Sequence, residues 1–480
     1  MKDENTMKTS IPHGTTITPG ALVIAATAAA TTLAQSPLPS SLSPLPSGQG
    51  GPATPYGVCA HLYGEEFPGL DRSLALMKAA GIGMARCDFP WKIAEKGDGS
   101  WDFARFDAVV TAAKTAGITI LPILDYSHPG HSMPTEDSGP WREYVRRIVE
   151  RYAADCPVFE VWNEQNGGTF CGGPPTADRY LPVLRAAFEE IRAAAPDAKV
   201  AIGGLVNSGS VIQYLEELHR LGGWQFFDIL NLHPYSDMRN NPEGLLDKVL
   251  EAHRKQMDRL GGKPVWITEF GWSTSERLPG FDPATGKGIH QGGTDDTTAA
   301  LWTARALGIA FAEGVEAVFH YELRALERDR FHRESHFGLV HENFVPKPAY
   351  LAFSAFTSVR PAGSVQKELP WRLDGRPGQT LYFPQWTIPD REDPRIVPLP
   401  GRDAGMVWTT GFEGVRHLRF NGATASGQQQ GGGTTLRFFD AFGKELFPLH
   451  TEDGGYDVFV SGSPVYFAGG ELEPPANPNL

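Results

Sequence analysis

From Tyr56 to about Ser354 the sequence alternates short apolar runs with amphipathic stretches of helical period, and it does so eight times. The apolar runs are Tyr56–Leu62, Gly83–Phe89, Thr119–Asp125, Val158–Asn163, Lys199–Leu205, Phe227–Pro234, Val265–Phe270 and Ala317–Leu323. Between them lie Leu70–Ala80, Phe103–Ala116, Trp141–Ala153, Ala177–Ala195, Val211–Leu221, Pro242–Leu260 and Thr297–Glu313. Strands that alternate with helices must pair in parallel, because each helix carries the chain back across the sheet. Eight such units over about 300 residues predict a (β/α)8 TIM barrel. An open doubly wound sheet is the alternative, but it needs a glycine-rich first turn, and Gly57-Val58-Cys59-Ala60 is not one.

After Phe353 the texture changes. Short alternating segments (Thr380–Phe383, Gly405–Thr410, His417–Phe420, Thr435–Phe439, Tyr456–Val460, Pro464–Ala468) are separated by glycine-rich turns, and these predict an all-β sandwich. Gly422–Gly433 is a low-complexity loop within it. The predicted organisation is a signal peptide over 1–34, a Ser/Pro/Gly-rich linker over 35–55, the α/β barrel over 56–355, the sandwich over 356–470 and a Pro-rich tail over 471–480. The leader rests on Ala21–Ala34, a small-residue apolar run ending Thr-Leu-Ala before Gln35, with Met1 or Met7 as the start. It is too short to span a bilayer, no later run is long enough, and the expected location is secreted or periplasmic.

Charge and cysteine content narrow the function classes. With 43 Lys+Arg against 56 Asp+Glu and no local basic run, nucleic acid is excluded as a partner. A neutral ligand suits this balance, and 27 Phe, 11 Trp and 13 Tyr suit a carbohydrate, whose C–H faces pack on aromatic rings. Four cysteines make no disulfide scaffold. They read as buried small apolar residues, with Cys59–Cys87 the one pairing that neighbouring strands would permit. No CxxC or HExxH is present, the HPGH at His128–His131 sits in a loop without further ligands, and neither metal nor cofactor is expected.

Active sites of (β/α)8 barrels lie at the C-terminal ends of the strands. The fourth strand ends Val161-Trp162-Asn163-Glu164-Gln165-Asn166 and the seventh Ile267-Thr268-Glu269-Phe270-Gly271-Trp272. These strands lie on opposing parts of the ring, so Glu164 and Glu269 face one cavity. Two carboxylates across a pocket suit glycosidic cleavage, in which one protonates the leaving oxygen and the other acts on the anomeric carbon.

WNEQN (Trp162–Asn166) resembles the Asn-Glu signature of clan A retaining glycoside hydrolases, and ITEFGW (Ile267–Trp272) resembles their nucleophile strand. Gly81–Trp91, Trp101–Phe106, Ala195-Pro196-Asp197 before Lys199–Gly204, Asn231–Tyr235, Phe337–Tyr350 and Thr451–Phe467 extend the likeness. Together they look most like glycoside hydrolase family 39 and its family 5-like relatives, over roughly residues 56–470.

The resemblance implies Glu164 as general acid/base, Glu269 as nucleophile, Arg86 beside the nucleophile, Asn163 on the sugar 2-hydroxyl, Tyr235 bonded to the nucleophile and His233 nearby. Asn231, His233 and Tyr235 also share strand parity. Trp91, Trp162 and Trp272 are each either sugar platforms or core. Where relatives often carry a platform Trp, this chain has His320, with Tyr321 as the replacement. Long loops at Ser127–Pro140, Ser273–Asp296 and Arg324–His336 lie on the active-site face and would shape either an exo pocket or an endo groove.

The expected function is therefore a retaining hydrolase of a β-linked oligo- or polysaccharide. A non-catalytic carbohydrate-binding protein on a hydrolase barrel, suggested only by His320, is a second reading, and a transglycosylase on the same site is a third. The sandwich either binds glycan or braces the barrel, and bracing is favoured.

Overall fold

A computed structural model describes residues 54–63, 69–206, 211–235, 240–243, 246–277, 292–389, 402–421, 423–424 and 434–475. The expected leader, nearly all of the linker, the 278–291 part of the loop after the seventh strand, most of Gly422–Gly433 and the end of the tail lie outside these residues. The barrel strands are β1 (Tyr56–Cys59), β2 (Met84–Pro90), β3 (Thr119–Asp125), β4 (Val158–Val161), β5 (Lys199–Ile202), β6 (Leu230–His233), β7 (Val265–Phe270) and β8 (Ala317–His320). Each pairs in parallel with its neighbours, β1 joins β8, and a two-residue stretch at Leu205–Val206 extends the pairing onto β6. The ring closes between β5 and β6 through the parallel bridge Ala201↔Ile229, with Ile202 N donating to Ile229 O at 3.1 Å.

The pleat decides what lies inside. Cys59, Met84, Leu121, Val158, Ala201, Ile229, Trp266, Ala317 and Phe319 form one buried cluster that fills the barrel, so it is a packed core and not a channel. Large and small side chains alternate within it. A Cβ on Gly57 would lie 2.2 Å from the Phe319 ring, so only glycine fits opposite that residue. The same alternation settles the cysteines. Cys59 is registered against Arg86 and faces in, whereas Cys87, one residue on, faces the outer core. Their side chains point to opposite faces of the sheet, which corrects the pairing that adjacency alone allowed. All four cysteines are free and buried.

The surrounding helices are α1 (Leu70–Ala79), α2 (Trp91–Ala94), α3 (Ala104–Ala116), α4 (Gly139–Tyr152), α5 (Ala177–Ala194), α6 (Val211–Arg220), α7 (Leu246–Leu260), α8 (Asp296–Ala312) and α9 (Pro348–Val359). The last runs past the boundary expected at 355, because Phe356, Thr357 and Val359 stay buried and Pro361 supplies the stop.

Beyond α9 the two largest sheets among the described residues are antiparallel. In the larger, Asp403–Thr410 pairs with Val465–Ala468, which pairs with Arg437–Phe439. In the smaller, Tyr456–Val460 lies between Gly414–Leu418 and Leu449–His450. Along Asp403–Thr410 the two-residue period divides the labour. Val407 enters the core between the sheets, while Ala404, Met406 and Trp408 join the barrel's outer core. A Cβ on Gly308 of α8 would lie 2.7 Å from Met406 Sδ, so helix and sheet are in close contact. Glu243 is the polar link: Arg305 of α8 pairs with it at 2.5 Å and Trp408 Nε1 donates to it at 2.7 Å. The sandwich thus braces α8 and α9.

Candidate active site

The site is assembled from the strand ends, beginning with a strained turn after β4. Trp162 and Glu164 both adopt positive φ, 70° and 49°, a conformation that costs a non-glycine residue on the order of 1–3 kcal/mol. Hydrogen bonds hold it there. Gln165 Nε2 donates to Gly203 O at 2.8 Å, Asn166 Nδ2 donates to Val206 O at 2.9 Å, and Asn166 Oδ1 accepts from Val206 N at 3.0 Å. The turn lifts Glu164 out of the strand and over the cavity.

Beneath it lies an ion array centred on Arg86, which is 4% exposed. Its Nε and NH2 donate to the two oxygens of Glu160 at 2.8 and 2.9 Å, its NH2 also to Asn163 Oδ1 at 2.8 Å, and its NH1 to Glu269 Oε1 at 2.5 Å. Burial alone would lower the Arg86 pKa, but Glu160 and then Glu269 outweigh it and hold it well above the ordinary value. Glu269 receives a second donor, Tyr235 OH, at 2.9 Å on Oε2. Burial, followed by the Glu269 charge, pushes the Tyr235 phenol well up, so it stays protonated and donates.

His233 links the two carboxylates. Its Nδ1 lies 3.0 Å from Glu164 Oε1 and 3.8 Å from Glu269 Oε2, and its Nε2 lies 3.0 Å from Thr268 Oγ1. Donation to Glu164 assigns the proton to Nδ1 and requires the Thr268 hydroxyl to donate to Nε2. The ring fits because residue 204 is glycine: a Cβ there would lie 1.9 Å from Nε2. Glu164, His233 and Glu269 each present one atom within 4.8 Å of the others.

Two groups among the described residues are close enough to hold a cation, this one and Glu95–His128–His131. In the second, the imidazole of His128 is committed. His128 Nδ1 accepts from Gly130 N at 3.0 Å while its Nε2 faces Glu95 O at 3.2 Å, and Glu95 Oε2 accepts from Trp91 Nε1 at 2.7 Å.

Six of the residues singled out in the sequence, Glu164, Glu269, Arg86, Asn163, His233 and Tyr235, therefore come together in one network. Tyr321 stands at its rim, edge-on to Tyr235 and Phe337 with ring centres 6.4 and 5.4 Å away. The tryptophans do not join them. Trp91 is fully buried at the start of α2 among Trp141, Tyr144 and His131, and presents no face to a ligand. Trp162 is buried with its Nε1 on Phe170 O, and Trp272 is buried against Phe270 and Trp302 with its Nε1 on Asn240 O. His320 also needs correcting as the platform position. It points out of the barrel onto Phe270 and Phe353, because Phe319 and Tyr321 take the inward parity. Burial pushes its pKa down to about 3.

Glu160 is the residue that sequence reading missed. Its signal was present, an acidic side chain inside the apolar run Val158–Val161, and such a charge is buried only when paired.

The family model for cellulase (glycosyl hydrolase family 5) matches residues 47–304, more than half of the chain, and spans both glutamates. No curated protein matches. Among solved structures, a family 39 glycoside hydrolase from the gut symbiont Bacteroides cellulosilyticus WH2 aligns over 87% of this chain and 81% of its own, with TM-score 0.66 and 19% identity. A monomeric β-xylosidase from Caulobacter crescentus CB15 aligns over 88% and 96%, with TM-score 0.53 and 13% identity. A GH30 endoxylanase from Clostridium papyrosolvens C71 aligns over 87% and 96%, with TM-score 0.56 and 11% identity. At these identities the likeness is one of fold: the clan A barrel with its β-domain.

Proposed function

The chain belongs to the cellulase family, glycosyl hydrolase family 5, and is a glycosidase, and from that premise we propose that it cleaves β-linked glycans by double displacement with retention. The observation that carries this reading is the spacing of the two carboxylates. Glu164 and Glu269 bring oxygens within 4.8 Å of each other. Retaining enzymes hold the pair about 5–5.5 Å apart, whereas inverting enzymes need roughly 6.5–9.5 Å to seat a water between carboxylate and sugar.

In the first step a Glu269 oxygen forms a bond to the anomeric carbon as the glycosidic bond breaks, and Glu164 gives its proton to the departing oxygen. In the second, Glu164 takes a proton from water, whose oxygen displaces Glu269. Arg86 fixes the amide of Asn163 by donating to Oδ1, which leaves Nδ2 as the donor for the sugar 2-hydroxyl, a bond that tightens in the oxocarbenium-like transition state. His233, 3.0 Å from Glu164 Oε1, positions the Glu164 carboxyl for both proton transfers. The reading of His320 as a lost platform was the one support for a non-catalytic protein, and its outward placement removes that support.

Aryl β-xylosides and β-glucosides, with β-linked polysaccharides, make the first panel. Glu269→Gln should lose turnover by on the order of 10^4-fold or more, the scale on which removing a nucleophile acts, while the protein still folds. Proton NMR of the first product should show the β-anomer. Initial release of the α-anomer would refute the mechanism. We further propose export, on the apolar run Ala21–Ala34. N-terminal sequencing of protein recovered outside the cytoplasm should begin near Gln35, and an intact leader would count against it.

A further inference from the structure

A groove of about 450 Å³ lies where the barrel meets the sandwich, within the size range of ligand pockets, and none of its lining residues belongs to the Arg86 network. One wall comes from the barrel: Trp302 and Arg305, neighbours at i and i+3 on α8, and Asn241 between β6 and α7. The other comes from the sandwich: Thr410 at the end of its strand, with Gly411 and Phe412 in the turn that follows. A barrel helix starts from the C-terminal face, so Trp302, in the second turn of α8, stands at the active-site end. Packed rings link the two places. Phe270, next to Glu269, lies 6.2 Å from Trp272, and Trp272 lies 5.7 Å from Trp302.

Both walls are fixed before a ligand arrives. Thr409 Oγ1 donates to Phe412 O at 2.7 Å and closes the turn. Gly411 takes φ 76° within it, where a Cβ would lie 2.0 Å from Gly378 O, so only glycine fits. Arg305 NH1 crosses the junction to Gly462 O at 2.9 Å and ties the walls together.

The groove carries no uncompensated charge. Arg305 is the one charged side chain lining it among the described residues, and its Nε and NH2 are spent on the two oxygens of Glu243, at 2.6 and 2.5 Å. Phe412 has Arg416 over its ring at 4.7 Å, which leaves the half-buried Trp302 as the aromatic surface. What remains for a ligand is that indole, the Asn241 amide, the Thr410 hydroxyl and the backbone of Gly411. Uncharged donors and acceptors beside an aromatic ring suit a ligand with hydroxyls at its edges and C–H faces between them. An anion would meet a guanidinium already neutralised, and a purely apolar ligand would strand the amide and hydroxyl. We propose that this groove is a second glycan-binding site, which holds a neutral stretch of a β-linked chain outside the catalytic cavity. The sandwich then holds substrate as well as bracing the helices. The proposal rests on the glycosidase reading and adds a polymeric substrate to it.

The test is affinity electrophoresis of the full chain carrying Glu269→Gln, so that nothing is cleaved during the run. Native gels are cast with mixed-linkage β-glucan, glucomannan or arabinoxylan, and with polygalacturonate as the acidic comparison. At least one neutral polysaccharide should retard the protein, and polygalacturonate should not. Trp302→Ala should weaken that apparent affinity by about tenfold or more, the scale of truncating a central tryptophan in a binding surface. Thr410→Arg fills the groove from the sandwich side and should act alike, and it serves alone should Trp302→Ala not fold. With Glu269 intact, either change should raise KM on that polysaccharide by a similar factor. It should leave kcat on the polymer, and kcat/KM on an aryl β-glycoside, within about twofold, a split that a merely structural role would not produce. No retardation by any neutral polysaccharide, stronger retardation by polygalacturonate, retardation unchanged in the groove variants that fold, or an equal loss on the aryl glycoside would each overturn the proposal. Groove-dependent retardation without wild-type turnover would keep the site and sink the glycosidase reading. Turnover lost in Glu269→Gln, with retardation indifferent to the groove variants, would do the reverse.

Discussion

Glu160→Gln is the most informative single change, because it removes one charge from the array and almost no volume. Glu160 is completely buried, takes both Nε and NH2 of Arg86, and accepts from Gly204 N at 3.0 Å. A glutamine can accept one of the Arg86 donors, but its own NH2 then faces the other, and a buried guanidinium loses half of its compensation. Breaking a buried pair from one side costs about 3–5 kcal/mol. In a chain of this length, at about 2.1 cal/mol/K of unfolding entropy per residue, that corresponds to a fall in apparent Tm of roughly 3–5 °C. Arg86 is then left with Glu269 as its only carboxylate and draws charge from the attacking oxygen. A change of one charged hydrogen bond in the transition state lowers kcat by about ten- to hundredfold. The assay is thermal denaturation followed by circular dichroism, run beside steady-state hydrolysis of an aryl β-glycoside. Glu143→Gln serves as control: its pairing with Arg146 and Arg147 is 40% exposed, and an exposed pair is worth about 0–1 kcal/mol. If Glu160→Gln stays within the roughly 0.5 kcal/mol spread of surface substitutions and keeps full kcat, Glu160 does not hold Arg86 and the array has been misread.

Three further outcomes are expected. Gly204→Ala places a methyl where the His233 imidazole sits, so kcat should fall by about 100-fold, the scale of a 1 Å misplacement; near-normal turnover would mean that His233 does not position Glu164. Tyr321→Ala at the rim should raise KM by about tenfold, whereas His320→Phe, which alters a ring packed outward on Phe270 and Phe353, should leave KM within about threefold; the opposite pattern would put His320, not Tyr321, on the substrate. Glu322 has its folded pKa pushed up to about 8 from an ordinary 4.5, by burial first and by Glu334 and Glu269 next. Between those values the folded chain keeps a proton that the unfolded chain has released, so stability should decline as pH rises through that window and level off above it, by on the order of a few kcal/mol. Glu322→Gln should flatten that slope in a Tm-against-pH series, and an equally steep series would refute the assignment.

The barrel was legible because its signal is repeated. Each apolar run and each amphipathic stretch is weak alone, but eight alternations leave few topologies open. What periodicity could not give was a helix packed on two sides. In Pro348–Val359 the barrel and the larger sheet bury Ala352, Phe353, Ala355 and Phe356 together, so the polar stripe that marks a surface helix is absent and the sequence predicts no helix after the eighth strand.

The site was legible where a motif fixes both residue and strand end, and it failed where the side chain's direction decides. Trp91 and Trp272 occupy strand ends, which is the only ground for giving them a sugar, and His320 occupies the strand-end position where relatives often carry a platform Trp. For His320 the pleat overrules it: Phe319 and Tyr321 face in, so the residue between them faces the helices. Glu160 and Asp125 were missed for the converse reason. Each is an acidic residue at an inward position of an otherwise apolar strand, and neither belongs to a motif that flags it. Parity counted from the barrel's inner layer finds both, since Glu160 lies two beyond Val158 and Asp125 four beyond Leu121. An ionisable side chain at such a position must be paired, protonated or completed by a ligand. Glu160 takes the first course through Arg86, and Asp125, fully buried and held well above the carboxylate range by that burial and next by the charge of Asp88, takes the second.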